Sequence, residues 1–270
     1  MVVVQCNLVK RLFLKSAAMK KNIHSAGQLA SAGRAAGGSK AVDAIVRPLV
    51  TVDIAIFSIR DEALSVLLVQ RGEGPDEPFP LRWALPGGFV DVQTDATIEA
   101  CARRKLAAKT GVTTPYLEQL GSWGSADRDP RDWSVTNVYF ALIASDASGE
   151  GDGLAPQRWF PVGPDVPRPL AFDHDELLDA ALRRLRDKVE YTVLPASLLP
   201  GEFTLPELQR TFEIVLGRDL DKSAFRTRML SAKVIEETGN YRTSSRRPAL
   251  LYRLAEDASS KLPATFRKTA

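Results

Sequence analysis

Clustered carboxylates behind a glycine turn can hold Mg²⁺ for diphosphate hydrolysis, and residues 86–112 have the turn without the carboxylates. The segment reads PGGFVDVQTDATIEACARRKLAAKTGV, and its second half is predicted as a helix over 97–110. Glu99 is the one acidic residue on that helix, whereas Lys105 and Lys109 are cationic. A single glutamate binds Mg²⁺ weakly, so we expect no metal site in this segment.

The segment resembles a Nudix box in which the metal-binding glutamates are replaced. A Nudix box runs from a Gly-Gly turn into a helix with the pattern R-E-x-x-E-E-x-G. The matching residues here are Arg104, Leu106 and Gly111. The glutamate positions hold Lys105, Ala108 and Lys109. Neither a methyl group nor an ammonium is a ligand for Mg²⁺. The resemblance implies a nucleotide pocket without catalytic residues or metal, and hence a sensor rather than an enzyme.

The composition is that of a globular chain with room for two cores. Its 270 residues are 44% hydrophobic, and we find no apolar run long enough to cross a membrane. Cys6 and Cys101 do not have the spacing of a zinc site, and Cys101 falls on the apolar side of the predicted helix. These features favour a cytoplasmic protein without a structural disulfide.

Charge is distributed unevenly along the chain, although the net charge is only +3. Residues 1–44 form a basic extension that we expect to be disordered; a transit peptide, or a true start at Met19, would have the same composition. Acidic residues predominate in the middle of the chain, and basic residues predominate after 190. A basic tail, 257–270, ends the chain. This asymmetry indicates that the C-terminal part meets a polyanion.

Residues 45–192 have the pattern of an α+β domain, a Nudix-like α/β/α sandwich. Alternating apolar residues predict a hairpin over 50–70, and further strands are predicted near 117–123, 134–143 and 158–162. A second helix is predicted after Asp173, an expected N-cap with Glu176 at the N3 position.

Residues 193–203, which include Pro195 and Pro200, are predicted as a linker to a second domain over 204–256. Thr204-Leu205-Pro206-Glu207 predicts a capping box, and a second, basic helix is expected after Asp221 with Ala224, Phe225 and Met229 facing inward. Two strands with an arginine-bearing tip follow. This order predicts a winged helix-turn-helix that binds DNA. Its candidate DNA contacts are Lys222, Arg226, Arg228, Arg242, Arg246 and Arg247.

Over residues 48–255 the chain resembles the Nudix-related transcriptional regulators of NAD metabolism, the NrtR type. The strings that carry the resemblance are RWALPGGFV (82–90), ARRKLAAKTGV (102–112), AFDHDELLDAALRRLRDKVEYT (171–192), FTLPELQRTFEIVLGRDLDKSAFRTRML (203–230) and RRPALLYRL (246–254). Several of them also resemble ADP-ribose pyrophosphatases. The resemblance implies a homodimeric repressor of NAD biosynthesis or salvage genes that binds a palindromic DNA operator. ADP-ribose or a related nucleotide would act as its effector, with no cofactor.

The effector pocket is expected to combine arginines with an aromatic ring. Arginines on a concave face can neutralise a pyrophosphate by bidentate contacts without a metal, and an aromatic ring can stack on adenine. The candidate effector contacts are Arg82, Trp83, Phe89, Arg128 and Arg131. The aromatics could instead be core residues, and the arginines could be solvated.

Two other functions remain open at the level of sequence. A divergent Nudix hydrolase could take carboxylates from Asp127, Asp129 or Asp132, although the missing glutamate cluster argues against it. A nucleotide-sensing scaffold that does not bind DNA is the second, and the basic residues of 222–228 and 242–247 argue against that.

Overall fold

The computed structural model describes residues 47–113, 116–146, 155–243 and 248–255. Ten strands are assigned in these ranges: β1 Leu49–Arg60, β2 Ala63–Gln70, β3 Trp83–Ala84, β4 Gly87–Phe89, β5 Tyr116–Ser125, β6 Ser134–Leu142, β7 Gln157–Pro161, β8 Phe203–Thr204, β9 Ile235–Arg242 and β10 Ala249–Leu254. The helices in the same ranges are α1 Ile98–Thr110, α2 His174–Val189, α3 Leu205–Leu216 and α4 Lys222–Ser231, with a 3₁₀ helix at Leu194–Leu198.

The first seven strands form one mixed sheet with β1 near its centre. The strand order is β3-β2-β1-β6-β5, with β4 paired to β1 and β7 paired to β2. β1 runs parallel to β6 and antiparallel to β2 and β4. Asp61 and Glu62, both with positive φ, form the tight turn of the predicted β1–β2 hairpin. The pairing of β4 with β1 sets Gly87 opposite Asp53 and Gly88 opposite Val52.

Alternation along β1 sends successive side chains to the two faces of the sheet, as the period of a strand requires. Ile54 and Ile56 pack on one face against α1, where Cys101 and Leu106 are fully buried. Phe57 packs on the other face in the cluster that includes the apolar side of α2. The predicted α/β/α sandwich is therefore confirmed.

Local sequence signals set most of the helix ends. The Thr97 side chain accepts from the backbone N–H of Ala100, and Gly111 ends α1 with a left-handed φ of 70°. The predicted capping box of α3 is present: Thr204 N–H donates to Glu207 at 2.8 Å, and Glu207 N–H donates back to the Thr204 hydroxyl at 3.3 Å. These caps satisfy backbone groups that the first and last turns leave unpaired.

The C-terminal part has the predicted winged helix arrangement of α3, α4 and a small sheet in the order β8-β10-β9. Phe225 and Met229 are buried on the inner side of α4, and the ring of Phe225 meets that of Phe212 of α3 edge-on, with centroids 5.2 Å apart. Ala224 was expected to face inward and is exposed. The reason is that it lies about 100° around the helix from Phe225.

The two parts share one hydrophobic cluster. It extends from Phe57 and Phe140 in the large sheet, through Leu178 and Leu185 of α2, to Phe212 of α3. The segment 193–203 contributes to the same cluster, because it is folded as a 3₁₀ helix whose apolar residues are buried. The domain boundaries themselves stay predictions.

Some predicted features lie outside the described residues. These are the basic extension up to residue 44, the C-terminal tail 257–270, Cys6, Arg246 and Arg247. Among the helices of the described ranges, none is both long and apolar enough to cross a membrane.

Candidate effector pocket and DNA-binding surface

The ring of Phe172 is the centre of a group of aromatic and cationic side chains at one end of the large sheet. Phe172 has a positive φ of 56° and lies just before α2. The Arg71 guanidinium carbon lies 4.6 Å from its ring centroid, and that of Arg131 lies 6.0 Å away. Two cations from loops far apart in sequence therefore face one aromatic ring.

Two further rings extend this group. Phe79 meets Phe172 edge-on with centroids 4.9 Å apart, and the Arg82 guanidinium carbon lies 5.5 Å from the Phe79 centroid. On the other side, the Arg131 guanidinium carbon lies 5.0 Å from the ring of Phe89. Phe89 is 45% exposed, so its ring is accessible to a ligand. The group thus brings together three of the expected effector contacts, Arg82, Phe89 and Arg131.

Like charges are held close together in this pocket. Burial lowers the pKa of Arg71, and repulsion from Arg131 lowers it further, with partial compensation from Asp129 and Asp53. Arg71 also pairs with Glu77 and donates to the Pro78 carbonyl at 2.8 Å, which fixes its position. Two positioned guanidiniums that repel each other form a site where an anion is electrostatically favourable.

Arg128 does not join Arg71 and Arg131 in the pocket, because it is buried in an ionic network with Asp173 and Asp53. Its side chain is 5% exposed and donates to Asp173 through Nε at 2.9 Å and Nη2 at 2.8 Å. Its Nη2 also lies 3.5 Å from Asp53 Oδ2. The expectation that Arg128 contacts the effector directly is therefore not supported by its position. A buried guanidinium with two carboxylate partners is part of the structural core.

The pairing of Arg128 with Asp173 also means that the predicted side-chain cap of α2 does not form. Asp173 is the N-cap residue, but its side chain makes no capping hydrogen bond, because its carboxylate is engaged by Arg128. Glu176 accepts from the Trp123 indole N–H at 2.9 Å instead of closing a capping box.

His174 and Asp53 complete the buried network. The Leu85 backbone N–H donates to His174 Nδ1 at 3.0 Å, and the opposite ring nitrogen, Nε2, lies 3.6 Å from Asp53 Oδ2. Burial would raise the pKa of Asp53, but His174 and Arg128 outweigh it, and the pKa lies below its ordinary value. His174 is thus a core residue that holds Leu85, between β3 and the Gly-Gly turn.

Trp83 is a packing residue. Its ring meets Phe160 edge-on with centroids 5.0 Å apart, and its carbonyl accepts from Ala171 N–H at 2.8 Å. It contacts the main hydrophobic cluster. Of the two aromatics predicted to stack on a base, the structure leaves Phe89 exposed and packs Trp83 against the core.

The charged side chains of α1 are mainly cations, which do not bind a metal ion. Arg104 forms a bidentate pair with Asp95, with distances of 2.7 and 2.6 Å, and this holds the loop that enters α1. Glu99 pairs with Arg103 on the exposed side. Within the described ranges, no group of three His, Cys, Asp or Glu side chains could hold a metal ion. The residues described do not fit the divalent metal of a Nudix hydrolase.

The carboxylates considered for a divergent hydrolase are not clustered. Asp129 is 2% exposed in its side chain and pairs with Arg131 at 2.7 Å. Asp132 accepts from the Trp133 backbone N–H at 2.8 Å, and Asp127 is exposed. Asp129 therefore orients an arginine of the pocket.

The candidate DNA-contacting residues of α4 fall into two groups. Lys222 and Arg226 are exposed. Thr227, which lies between the buried Phe225 and Met229, is exposed as well. Arg228 is half-buried, and its Nη2 donates to the Glu190 carbonyl at the end of α2 at 3.2 Å. Burial lowers the pKa of Arg228. The expectation that Arg228 contacts DNA is therefore not supported by its position, because its side chain reaches the end of α2.

In the wing, Arg242 lies at the end of β9 and is also engaged. It pairs with Glu207 of the capping box and donates to the Glu202 carbonyl at 3.3 Å. Tyr241, beside it, is 60% exposed. Arg242 thus joins the wing to the start of α3, whereas the neighbouring Tyr241 side chain is exposed.

Sequence reasoning missed Arg71, Phe79 and Phe172 in the pocket, and Tyr241 in the wing. Arg71 directly follows β2, and Phe172 belongs to one of the segments that carry the family resemblance. Their convergence depends on pairings between distant strands, which no local pattern reveals.

Comparison with protein families gives two matches. The description "NUDIX domain" matches residues 48–181, and "NrtR DNA-binding winged helix domain" matches residues 195–254. Among curated proteins, the ADPR responsive transcriptional repressor NtrR of Acinetobacter baylyi is 49% identical over 209 residues, which is 77% of this chain and 82% of that protein.

Solved structures give the same result. The Shewanella oneidensis NrtR complexed with a 27mer DNA is 41% identical with a TM-score of 0.74, covering 81% of this chain and 99% of that one. A MutT/nudix family protein from Enterococcus faecalis is 29% identical with a TM-score of 0.65, covering 88% of this chain and 98% of that one. The order of domains, the fold and the extent of identity show that this chain belongs to the NrtR family, in which a Nudix domain precedes a DNA-binding winged helix domain.

Proposed function

We propose that this protein is a transcriptional repressor that ADP-ribose, or a closely related nucleotide, releases from its DNA operator. The observation that carries the proposal is the convergence of Arg71 and Arg131 on the ring of Phe172. This site is part of a domain that shares one hydrophobic cluster with the winged helix. Because both parts pack into the same cluster, a change of conformation at the ligand site can alter the winged helix, as coupled binding requires.

The diphosphate of the effector would bind between the two guanidiniums. Arg131 is oriented by Asp129, and Arg71 by Glu77 and the Pro78 carbonyl, so little side-chain entropy is lost on binding. Phe89 would stack on the base, an interaction worth about 1–3 kcal/mol for a nucleic acid base. Arg82, over the ring of Phe79, would contact the outer part of the ligand.

The same proposal makes the Nudix domain a binding module without hydrolase activity. Lys105, Ala108 and Lys109 stand at the positions where the family's enzymes have glutamates. Without oxygen ligands no Mg²⁺ is fixed to polarise a phosphoryl group or activate water.

On the DNA side, α4 would enter the major groove with Lys222 and Arg226 toward the operator. One winged helix covers one half-site, so a palindromic operator would need a homodimer. Target genes in NAD biosynthesis or salvage, and a cytoplasmic location, belong to this proposal.

The direct experiment is fluorescence anisotropy of a labelled duplex from the gene's own upstream region, titrated with the full chain. We expect saturable binding without effector and weaker binding in ADP-ribose by about 5–150-fold, a typical coupling. AMP and ribose 5-phosphate at equal concentration serve as controls. Binding of ADP-ribose without any change in operator affinity would contradict the repressor mechanism.

A further inference from the structure

Lys105 of α1 points at the Gly-Gly turn that opens the Nudix-box segment. Its Nζ lies 3.0 Å from the place where a Cβ atom on Gly88 would stand. Gly88 has a φ of 134°, a conformation that other residues rarely adopt. Because Gly88 has no side chain, the Lys105 ammonium can lie directly against the backbone of the turn.

This ammonium is half-buried, and no acceptor holds it. Across the four described ranges, Lys105 has no hydrogen bond and no ion pair. Burial lowers the pKa of Lys105, and Arg104 lowers it further, whereas Cys101, Asp95 and Asp53 raise it in part. The carboxylates of Asp95 and Asp53 are themselves committed to Arg104 and to the Arg128 network. A partly desolvated cation without a partner is unfavourable, which points to a ligand that supplies the anion.

The surroundings of Lys105 specify the kind of anion. Phe89 follows Gly88 in the chain, and the Arg131 guanidinium lies over its ring. The turn is therefore bordered by an ammonium on the α1 side and by a guanidinium on the loop side. Two cations separated by a short stretch of strand match the extended charge of a diphosphate better than that of a single carboxylate.

Resting on the proposed function, we propose that Lys105 Nζ binds the diphosphate of the effector at the Gly87-Gly88 turn and replaces the divalent metal ion of Nudix hydrolases. The described residues do not provide the carboxylates that a metal ion would need, and a tethered ammonium supplies positive charge and up to three hydrogen bonds at the same turn. Effector binding by this chain is consequently independent of divalent metal.

The test is isothermal titration calorimetry of the full chain with ADP-ribose, in EDTA and in Mg²⁺. Lys105→Gln removes the charge, and Arg103→Gln is the matched control, since it removes an equal charge from the exposed side of the same helix. We expect wild type to bind equally in both buffers. The dissociation constant should rise about 10- to 100-fold in Lys105→Gln, as for a lost charge-assisted hydrogen bond, and less than about threefold in Arg103→Gln.

Operator binding without effector reports whether Lys105→Gln is folded, because that binding should match wild type. Wild-type affinity for ADP-ribose in Lys105→Gln, or a requirement for Mg²⁺ in the wild-type chain, would overturn the proposal. The proposed repressor function fails by a different result, namely that ADP-ribose binds and the operator is not released.

Discussion

Arg128 and Asp173 form a bidentate ion pair, with Nε–Oδ2 and Nη2–Oδ1 distances of 2.9 and 2.8 Å. The pair joins the loop that carries Arg131 to the N-cap residue of α2. At its other end, α2 is joined to the winged helix, because the Glu190 carbonyl accepts from Arg228 of α4 and Arg186 donates to the Val215 carbonyl of α3. A single helix, α2, thus connects the candidate pocket to α4, the helix proposed to enter the DNA major groove.

The pair should contribute strongly to stability. We expect Arg128→Leu to lower the free energy of unfolding by about 3–5 kcal/mol, because it leaves a carboxylate without its buried partner. The exposed control, Arg103→Gln, should cost at most about 1 kcal/mol. Urea unfolding followed by circular dichroism measures both. In the Arg128→Leu/Asp173→Leu double variant the loss should be smaller than the sum of the single losses; additive losses would show that the two residues are not coupled.

Removing the pocket guanidinium of Arg131 should uncouple the effector from DNA. Because Asp129 is buried beside it, we would combine Arg131→Met with Asp129→Asn, which avoids a lone buried carboxylate. We expect operator affinity close to wild type and little release by ADP-ribose, measured by anisotropy. Asp129→Asn alone, which keeps the guanidinium, is the matched control. Normal release of the operator by ADP-ribose in the double variant would show that Arg131 does not bind the effector.

The basic residues of α4 should separate into two classes. Lys222→Ala and Arg226→Ala remove exposed charges, so each should weaken DNA binding and reduce the salt dependence, by about 0.9 in the slope of log K against log salt for a phosphate contact. Arg228→Ala should leave that slope unchanged and lower the unfolding temperature, because Arg228 contacts α2. A reduced slope in Arg228→Ala would show that this side chain reaches DNA in the complex.

The buried network predicts a pH dependence of stability. The folded pKa of Asp53 lies below its ordinary value of 3.8, so its carboxylate stabilises the protein above that pH, and this contribution is lost as the pH falls through the folded pKa. Asp53→Asn should therefore cost about 1–3 kcal/mol at pH 7, and the difference from wild type should shrink as the pH falls from about 4 toward the lower, folded pKa. Urea midpoints across this range measure it; a constant difference would exclude Asp53 as the titrating group.

The Nudix domain should be catalytically silent. In Mg²⁺ or Mn²⁺ we expect no turnover of ADP-ribose, measured as release of AMP, because the described residues do not form a carboxylate cluster. A kcat within the usual enzyme range of about 1–10³ s⁻¹ would contradict the regulator-only interpretation. A functional ADP-ribose pyrophosphatase, assayed in parallel, controls for substrate and metal.

The sequence by itself determined the features that depend on near neighbours. Thr97, Thr204 and Asp221 cap helices, Gly111 and Gly217 end them, and each can be predicted because both partners lie within a few residues. The α/β/α sandwich and the winged helix follow from periodicity, whereas the replacement of the metal-binding glutamates stays a prediction from a motif of fixed spacing.

The tertiary structure alone decided which charged side chains are accessible to a ligand or to DNA. Arg128 and Arg131 are three positions apart on one loop, yet one is buried by Asp173, 45 residues away, and the other lies beside an exposed ring. Arg226 and Arg228 differ in the same way, because Arg228 donates to the Glu190 carbonyl at the end of α2 and Arg226 is exposed. A guanidinium has the same local pattern in either role, and its function depends on which distant carboxylate, carbonyl or ring the fold brings to it.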